Sequence, residues 1–350
     1  MKYIGNKSRL LGFIESSLTE AQVPFHGTFA DVFSGTANVG FHFKKLGMKI
    51  ISNDIMTYSY FLQKAMLEIN TIPKFTQVKK LLNLSSSANV QELLDSISQI
   101  EPQKGYFFQN FSPSGVAKRQ FFTDENGQII DGIRDELEKW QRLGLVDDLE
   151  FCYLLSSLIN AADHVANMSG TYGAYLKIWR SVALKKLKLQ PIELFDNGQK
   201  NIILKGDSLE IIKSINGDVL YLDPPYNSRQ YASNFHVMES LAVWDKQELR
   251  GIVGLRNYQN QKSDFSSKRE ATSAFRELIE GAQFKYIVLS YNNEGIIKRE
   301  DILSTLEERG KLTEFVTDYR RFRTERDHEK RKYKEVDDKV LEHLWIVKTK

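Results

Sequence analysis

Hydrophobic and polar positions along the chain fall into short blocks, and the period of the blocks changes from region to region. Runs rich in β-branched or aromatic residues at 28–33, 48–52, 201–204, 219–222 and 286–289 are each bounded by turn-forming residues. Such runs predict buried strands. Helical spacing follows the first run at 38–46, follows the third at 209–215 and precedes the fifth at 268–281. Strands alternating with helices predict an α/β fold with a doubly wound, mostly parallel sheet, in which ligands bind at the carboxyl ends of the strands. The alternation breaks between 58 and 195, where candidate helices at 90–100, 130–145 and 147–162 surround an irregular aromatic segment at 105–127. This stretch is expected to be a mainly helical insertion, leaving 1–57 and 196–350 to form the sheet domain. Near the end, 312–316 and 341–347 read as two strands of a closing hairpin joined by a long charged connection.

Composition narrows the possibilities without deciding among them. The 350 residues are 41% hydrophobic and 27% charged, as in an ordinary globular protein. Forty-eight basic residues against 45 acidic ones give a net charge of only +3, so any surface for a polyanion must be local. The single cysteine, Cys152, lies in an apolar run. It excludes an internal disulfide and any multi-cysteine metal site, and fits a reducing compartment. The first residues lack the apolar stretch of a signal peptide, and no segment is long enough to cross a bilayer. A cytoplasmic protein with no membrane partner is expected.

Two segments carry candidate chemistry. The first, from Asp31 to Gly40, is a strand running into a small-residue turn and then a helix. Small residues let the backbone approach a ligand closely, and a helix amino end favours negative charge or an acceptor. Asn53-Asp54 follow the next predicted strand. That is where an acid binds a ribose hydroxyl pair in nucleoside-binding sheets. A tight turn without a ligand and a nicotinamide site are the competing readings. The loop has only Gly35 and Gly40 rather than a full G-x-G-x-x-G. It provides less for a pyrophosphate, so an adenosine cofactor lacking phosphate, S-adenosylmethionine, fits better.

The second segment, Asp223-Pro224-Pro225-Tyr226-Asn227, closes the fourth predicted strand. Two prolines fix two φ angles and remove two backbone donors, leaving a stiff loop rich in acceptors. The Asp223 carboxylate and the Pro224 carbonyl can together accept both hydrogens of an amino group, while the Tyr226 ring offers a face for a base. This suits methylation of adenine, whose amino nitrogen is a poor nucleophile because its lone pair is delocalised into the ring. Two acceptors would favour a pyramidal nitrogen and free the lone pair to attack a sulfonium methyl in line. No metal is required, and positioning must supply the rate. A plain turn is the alternative reading.

These residues resemble the bacterial and phage DNA N6-adenine methyltransferases in which the cofactor loop precedes the recognition region and a D-P-P-Y loop follows it. The resemblance spans most of the chain and implies a seven-stranded Rossmann-like methyltransferase sheet with S-adenosyl-L-methionine as donor and S-adenosyl-L-homocysteine as product. Tyr3, Gly5, Asn6 and Lys7 look like the family's amino-terminal motif, which closes over the cofactor's methionine part. Asp31 with Phe33, Ser34, Gly35, Thr36, Ala37 and Asn38 resembles the glycine-rich motif, although many relatives carry glycine in place of Ala37. Asp54 with Ile55 matches the ribose-binding acid, and Asp207 with Ser208 the acid that contacts the adenine of the cofactor. Asp223, Pro224, Pro225 and Tyr226 match the catalytic loop, with Asp223 also bordering the cofactor. The longer string from Asp223 to Tyr231, and the one from Thr171 to Lys177, resemble the subgroup tied to restriction-modification systems. Family membership also implies a flipped-out target base, as a stacked adenine cannot present its amino group to a recessed pocket.

Double-stranded DNA is therefore the expected partner, with a cognate restriction endonuclease as a further one and a monomer favoured. Tyr172, Lys177, Arg180 and Lys185 lie in or beside a basic stretch without acids, and with Arg229, Arg321 and Arg323 they are the expected DNA contacts. A solvated amphipathic helix at 177–189 is the competing reading of that stretch. Two further functions stay open. One is an RNA adenine methyltransferase, disfavoured because its relatives usually carry Asn where Asp223 stands. The other is a catalytically inactive DNA-binding subunit, disfavoured by the intact set Lys7, Gly35, Asp54, Asp223 and Tyr226.

Overall fold

The computed structural model describes residues 7–320 and 339–350. Its described residues form two compact units, one comprising 57–196 and 232–259 and the other 7–56, 197–231, 260–320 and 339–350.

The second unit is built on one seven-stranded sheet: β1 (Thr28–Asp31), β2 (Lys49–Asp54), β3 (Ile202–Lys205), β4 (Asn216–Leu222), β5 (Gln283–Asn292), β6 (Gly310–Arg320) and β7 (Lys339–Thr349). All seven expected strands form. Their spatial order is β3-β2-β1-β4-β5-β7-β6. β1 to β5 are parallel, and β7 pairs antiparallel with both β5 and β6. The order reverses between β1 and β4, which makes the crevice beyond their carboxyl ends the switch point where such sheets bind ligands. Near-continuous apolar runs are what parallel strands need when both faces are covered. Leu220, Leu222, Ile287 and Leu289 accordingly pack against Phe275, Leu278 and Ile279 of the helix Ala271–Gly281 in one core.

The helices of this unit are legible to different degrees. Asn38–Lys45 matches its expectation, whereas 209–215 divides into a short α-helix, Ser208–Ile211, and a 3-10 turn, Ile212–Ser214. Ala271–Gly281 starts three residues after the predicted position 268.

The first unit is helical. Asp148–Val165 begins with a reciprocal cap in which Asp147 accepts from the Glu150 N–H and Glu150 accepts from the Asp147 N–H, satisfying donors a helix end leaves free. The helix predicted from 130 starts earlier, at Asp124, because the Thr123 hydroxyl accepts the Asn126 N–H and two acids occupy the first turn. Gly127 lies inside that helix, where a Cβ would fall 2.2 Å from the Ser112 Oγ, so here glycine marks a close approach and not a break. The aromatic segment expected to be irregular contains a further helix, Tyr106–Phe111, whose Phe107 and Phe108 N–H groups donate to the buried Asp131 carboxylate. Residues 232–259, read from sequence as part of the sheet domain, pack with the helical unit. Their helix His236–Val243 carries buried Glu239, whose two oxygens accept the Thr57 and Tyr58 N–H groups. Among the described residues no helix is long and apolar enough to cross a membrane.

Candidate active site

The turn after β1 is held from below by residues at the end of β2. Ser34 N–H donates to the Asn53 carbonyl at 3.0 Å, and Gly35 N–H donates to Asp54 Oδ2 at 2.9 Å. The other Asp54 oxygen accepts the Met56 N–H at 2.9 Å, so this buried carboxylate bridges two backbones. The Asn53 amide donates to the carbonyls of Val32 and Gly206, both at 3.1 Å, tying together the ends of β1, β2 and β3. Ala37, which starts the following helix, is held at φ 65°, in the left-handed region where a Cβ is unfavourable and glycine is at ease. Phe33 is half-buried, with its ring edge-on to Phe265 at 5.0 Å. Asp207 is exposed and caps the short helix after β3 by accepting the Leu209 N–H at 2.9 Å, and neighbouring Ser208 is buried. Ile55 is half-buried, as is Asn38, whose side-chain amide donates to Thr36 Oγ1 at 2.7 Å.

Beyond β4 lies a buried charge cluster. The Lys7 ammonium is 3.3 Å from Asp223 Oδ1 and is hydrogen-bonded to Glu342 on β7. Glu342 also accepts a 2.7 Å hydrogen bond from the Ser290 hydroxyl on β5. The Asp223 Oδ1 atom is buried and, apart from this ion pair, receives no aligned hydrogen bond from the described residues. Burial pushes Asp223 up to about 7, with Lys7 working against the rise and Glu342 adding to it. Burial alone would lower the Lys7 ammonium, but Asp223 and Glu342 more than offset it and hold the pKa well above its usual value. Asp31, at the end of β1, is likewise raised, first by burial and then by the nearby charge of Asp223. One ammonium thus lies between two carboxyl groups, with Asp31 and Asp54 close enough to feel one another's charge.

The loop itself is braced. Tyr226 meets Tyr291 edge-on at 6.4 Å, its carbonyl accepts the Ile296 N–H at 3.1 Å, and Lys7 lies 5.9 Å from its ring centroid. Gln230 exchanges two hydrogen bonds with Ser263, donating to its carbonyl at 3.0 Å and accepting its N–H at 2.8 Å.

Residues 3–305 match the model of the D12 class N6 adenine-specific DNA methyltransferases. The chain belongs to that family. It is 39% identical over 350 residues to the type II methyltransferase M.FokI of Planomicrobium okeanokoites, covering 99% of this chain and 52% of that protein. M.NlaIII of Neisseria lactamica is 36% identical, with 99% of each chain covered. The StsI modification methylase of Streptococcus sanguinis is 38% identical, with 88% of this chain and 46% of that protein covered. This methyltransferase therefore spans about half the length of two of these relatives and nearly all of the third. Membership of the family implies S-adenosylmethionine as the methyl donor.

The methyltransferase does not bring every expected residue to a usable surface. Tyr172, expected at DNA, is buried in the helical unit, where its hydroxyl donates to Asp163 at 3.1 Å. Its aromatic ring serves the core, which the polar neighbours in sequence conceal. The basic stretch 177–189 forms no helix, only turns and extended chain, so the amphipathic-helix alternative fails. Arg180 is half-buried and its guanidinium donates to the Met168 carbonyl at 2.9 Å. Lys177, Lys185 and Arg229 are exposed. Tyr3, Gly5, Asn6, Arg321 and Arg323 lie outside the described residues.

Glu342 and Ser290 escaped the sequence reading. The signal for Glu342 is its place in the alternation of β7: Val340, Glu342 and Leu344 all face inward, and a charged residue in an inward slot requires a partner.

Proposed function

We propose that the chain is a site-specific DNA adenine methyltransferase acting on N6 of a flipped-out adenine, and the modification enzyme of a restriction-modification system. Support for the chemistry comes above all from the buried Asp223 oxygen, which stands at a strand end on a proline-stiffened loop and has no aligned donor among the described residues. Support for the biological setting comes from relatives named as type II methyltransferases.

In this reading Asp223 accepts one amino hydrogen of the base and the Pro224 carbonyl accepts the other, so the amino nitrogen is held pyramidal toward the methyl donor. Pro225 keeps the loop from relaxing, and the Tyr226 ring, held by Tyr291, stacks on the base. Lys7 keeps Asp223 oriented and close to ionised, while Glu342 and Ser290 fix Lys7. The amino nitrogen becomes strongly acidic once alkylated, so its proton leaves without a dedicated base.

The cofactor supplies an electrophilic methyl on a sulfonium. The observed acids fit such a cation, since burial holds the Asp31 and Asp223 carboxyls above their usual range and a neighbouring positive charge would favour their ionised forms. Asp54 would hold the ribose hydroxyls and Asp207 the adenine amino group. Phe33 to Asn38, Ile55 and Ser208 would line the adenosine, with the Tyr3, Gly5 and Asn6 motif over the methionine part. The sheet unit would carry the reaction, and 57–196 with 232–259 would read the DNA. The test is incubation with labelled S-adenosylmethionine and unmethylated bacterial genomic DNA, followed by nucleoside analysis and mapping. N6-methyladenine in one recurring short sequence is expected, and methylation of RNA alone would replace DNA as the substrate.

A further inference from the structure

The three most exposed large aliphatic side chains among the described residues are Val116 at 85%, Ile178 at 84% and Ile252 at 83%. They stand far apart in sequence, yet hydrogen bonds join the loops that carry them. The Arg119 guanidinium donates to the carbonyls of Gly251 at 3.0 Å and Ile252 at 2.9 Å, and to that of Asn110 at 2.9 Å. Next to it, the Gln120 side chain donates to the Lys177 carbonyl at 3.1 Å, and the buried Asn167 amide donates to the carbonyls of Gln120 and Leu176. Gly254 lies so close to Arg119 that a Cβ there would fall 2.9 Å from the guanidinium. Three loops are thus fastened to one another by buried polar groups, and each presents an aliphatic side chain to solvent.

Exposed aliphatic groups on fastened loops mark an interaction surface. Its charge indicates the partner. Segments 112–120, 175–190 and 249–256 contain no Asp or Glu and present six exposed basic residues, Lys118, Lys177, Lys185, Lys186, Lys188 and Arg250, in a chain whose total charge is nearly balanced. A fourth exposed aliphatic residue, Leu184, lies within the second of them. Basic side chains hold phosphates, whereas aliphatic ones read thymine methyl groups or wedge between base steps.

We infer that Val116, Ile178 and Ile252, on loops fastened by Arg119, Gln120 and Asn167, form the surface that contacts base edges of duplex DNA. The inference rests on the DNA methyltransferase reading and assigns that partner to named side chains. Lys177 and Arg250 flank the aliphatic residues at phosphates.

The test uses the full chain and a short duplex carrying the mapped sequence, with a duplex of scrambled sequence as control. Because Ile178 and Ile252 are exposed, I178D and I252D should fold normally, as judged by unchanged melting and S-adenosylmethionine affinity. Each is expected to weaken cognate duplex binding at least tenfold, and the triple variant V116S/I178S/I252S to narrow the ratio of cognate to scrambled affinity. Wild-type affinity and wild-type ratio in these variants would overturn the proposal. So would unchanged duplex binding accompanied by lost binding to phosphatidylserine vesicles, which would make the patch a membrane surface. A wild-type chain that methylates no DNA would refute the functional reading instead, and weaker or unchanged binding of I178D and I252D to the scrambled duplex would still decide the surface.

Discussion

Asp223 and Glu342 compete for a single ammonium, and the competition sets the protonation of the group that acts as acceptor in the proposed mechanism. D223A is expected to abolish methyl transfer while S-adenosylmethionine binding, followed by calorimetry, stays measurable; near-normal turnover would sink the amino-acceptor mechanism. The groups facing Asp223 are Lys7, Glu342, Asp31 and the phenols of Tyr221 and Tyr291, and both phenols are raised and so neutral near pH 7. Ionised Asp223 is the stronger acceptor of an amino hydrogen, so kcat/KM should rise with pH through about 7 and then level off. E342Q removes a negative neighbour and frees Lys7 for Asp223, which should carry this acid limb to lower pH; K7Q should carry it to higher pH. A loss of plateau activity with the limb unmoved would reduce Glu342 to a structural role. At Ala37 the chain tolerates a strained conformation, and A37G should raise stability by about 1 kcal/mol, measured by denaturant titration. The acid and proline loop was legible because its chemistry is contiguous in sequence. Glu342 was not, because its meaning depends on β7 lying next to β5, a pairing that no local pattern displays.

At the scale of elements, strands were read well and helices less so. A buried parallel strand announces itself as an apolar run, and all seven were anticipated to within a few residues. Helix Leu11–Glu20, with only three buried residues, carries too little periodicity to stand out, and the early start at Asp124 was hidden by polar capping residues and Gly127. For segment 177–189 the competing reading of its charges was a helix face, which the backbone excludes because it is committed to Asn167 and to turns. The loops it joins are stabilised by close contacts more than by regular structure. G254A, at φ 76° and against Arg119, should therefore destabilise the protein by roughly 1–3 kcal/mol. An unchanged denaturation midpoint would show that the Arg119 contact is dispensable.

For the whole molecule the salient fact is two units of similar extent made from interleaved stretches of one chain. A ligand that binds one folded unit stabilises that unit by mass action, about 2.7 kcal/mol at a hundredfold excess over Kd. S-adenosylmethionine should accordingly slow hydrogen exchange in β1, β2 and β4 more than in helices 124–142 and 148–165. Equal slowing in both would mean that they open as one cooperative body. The interleaving also bears on inheritance. The helical unit is drawn from 57–196 and 232–259, with the Asp223 loop encoded between them, and Arg119 of the first stretch is bonded to Gly251 and Ile252 of the second. A single crossover between the genes of two such enzymes would mate an arginine clamp from one parent with a loop from the other. New specificities should therefore arise by paired exchanges that leave the segment between untouched, or by point changes at the tips of the loops.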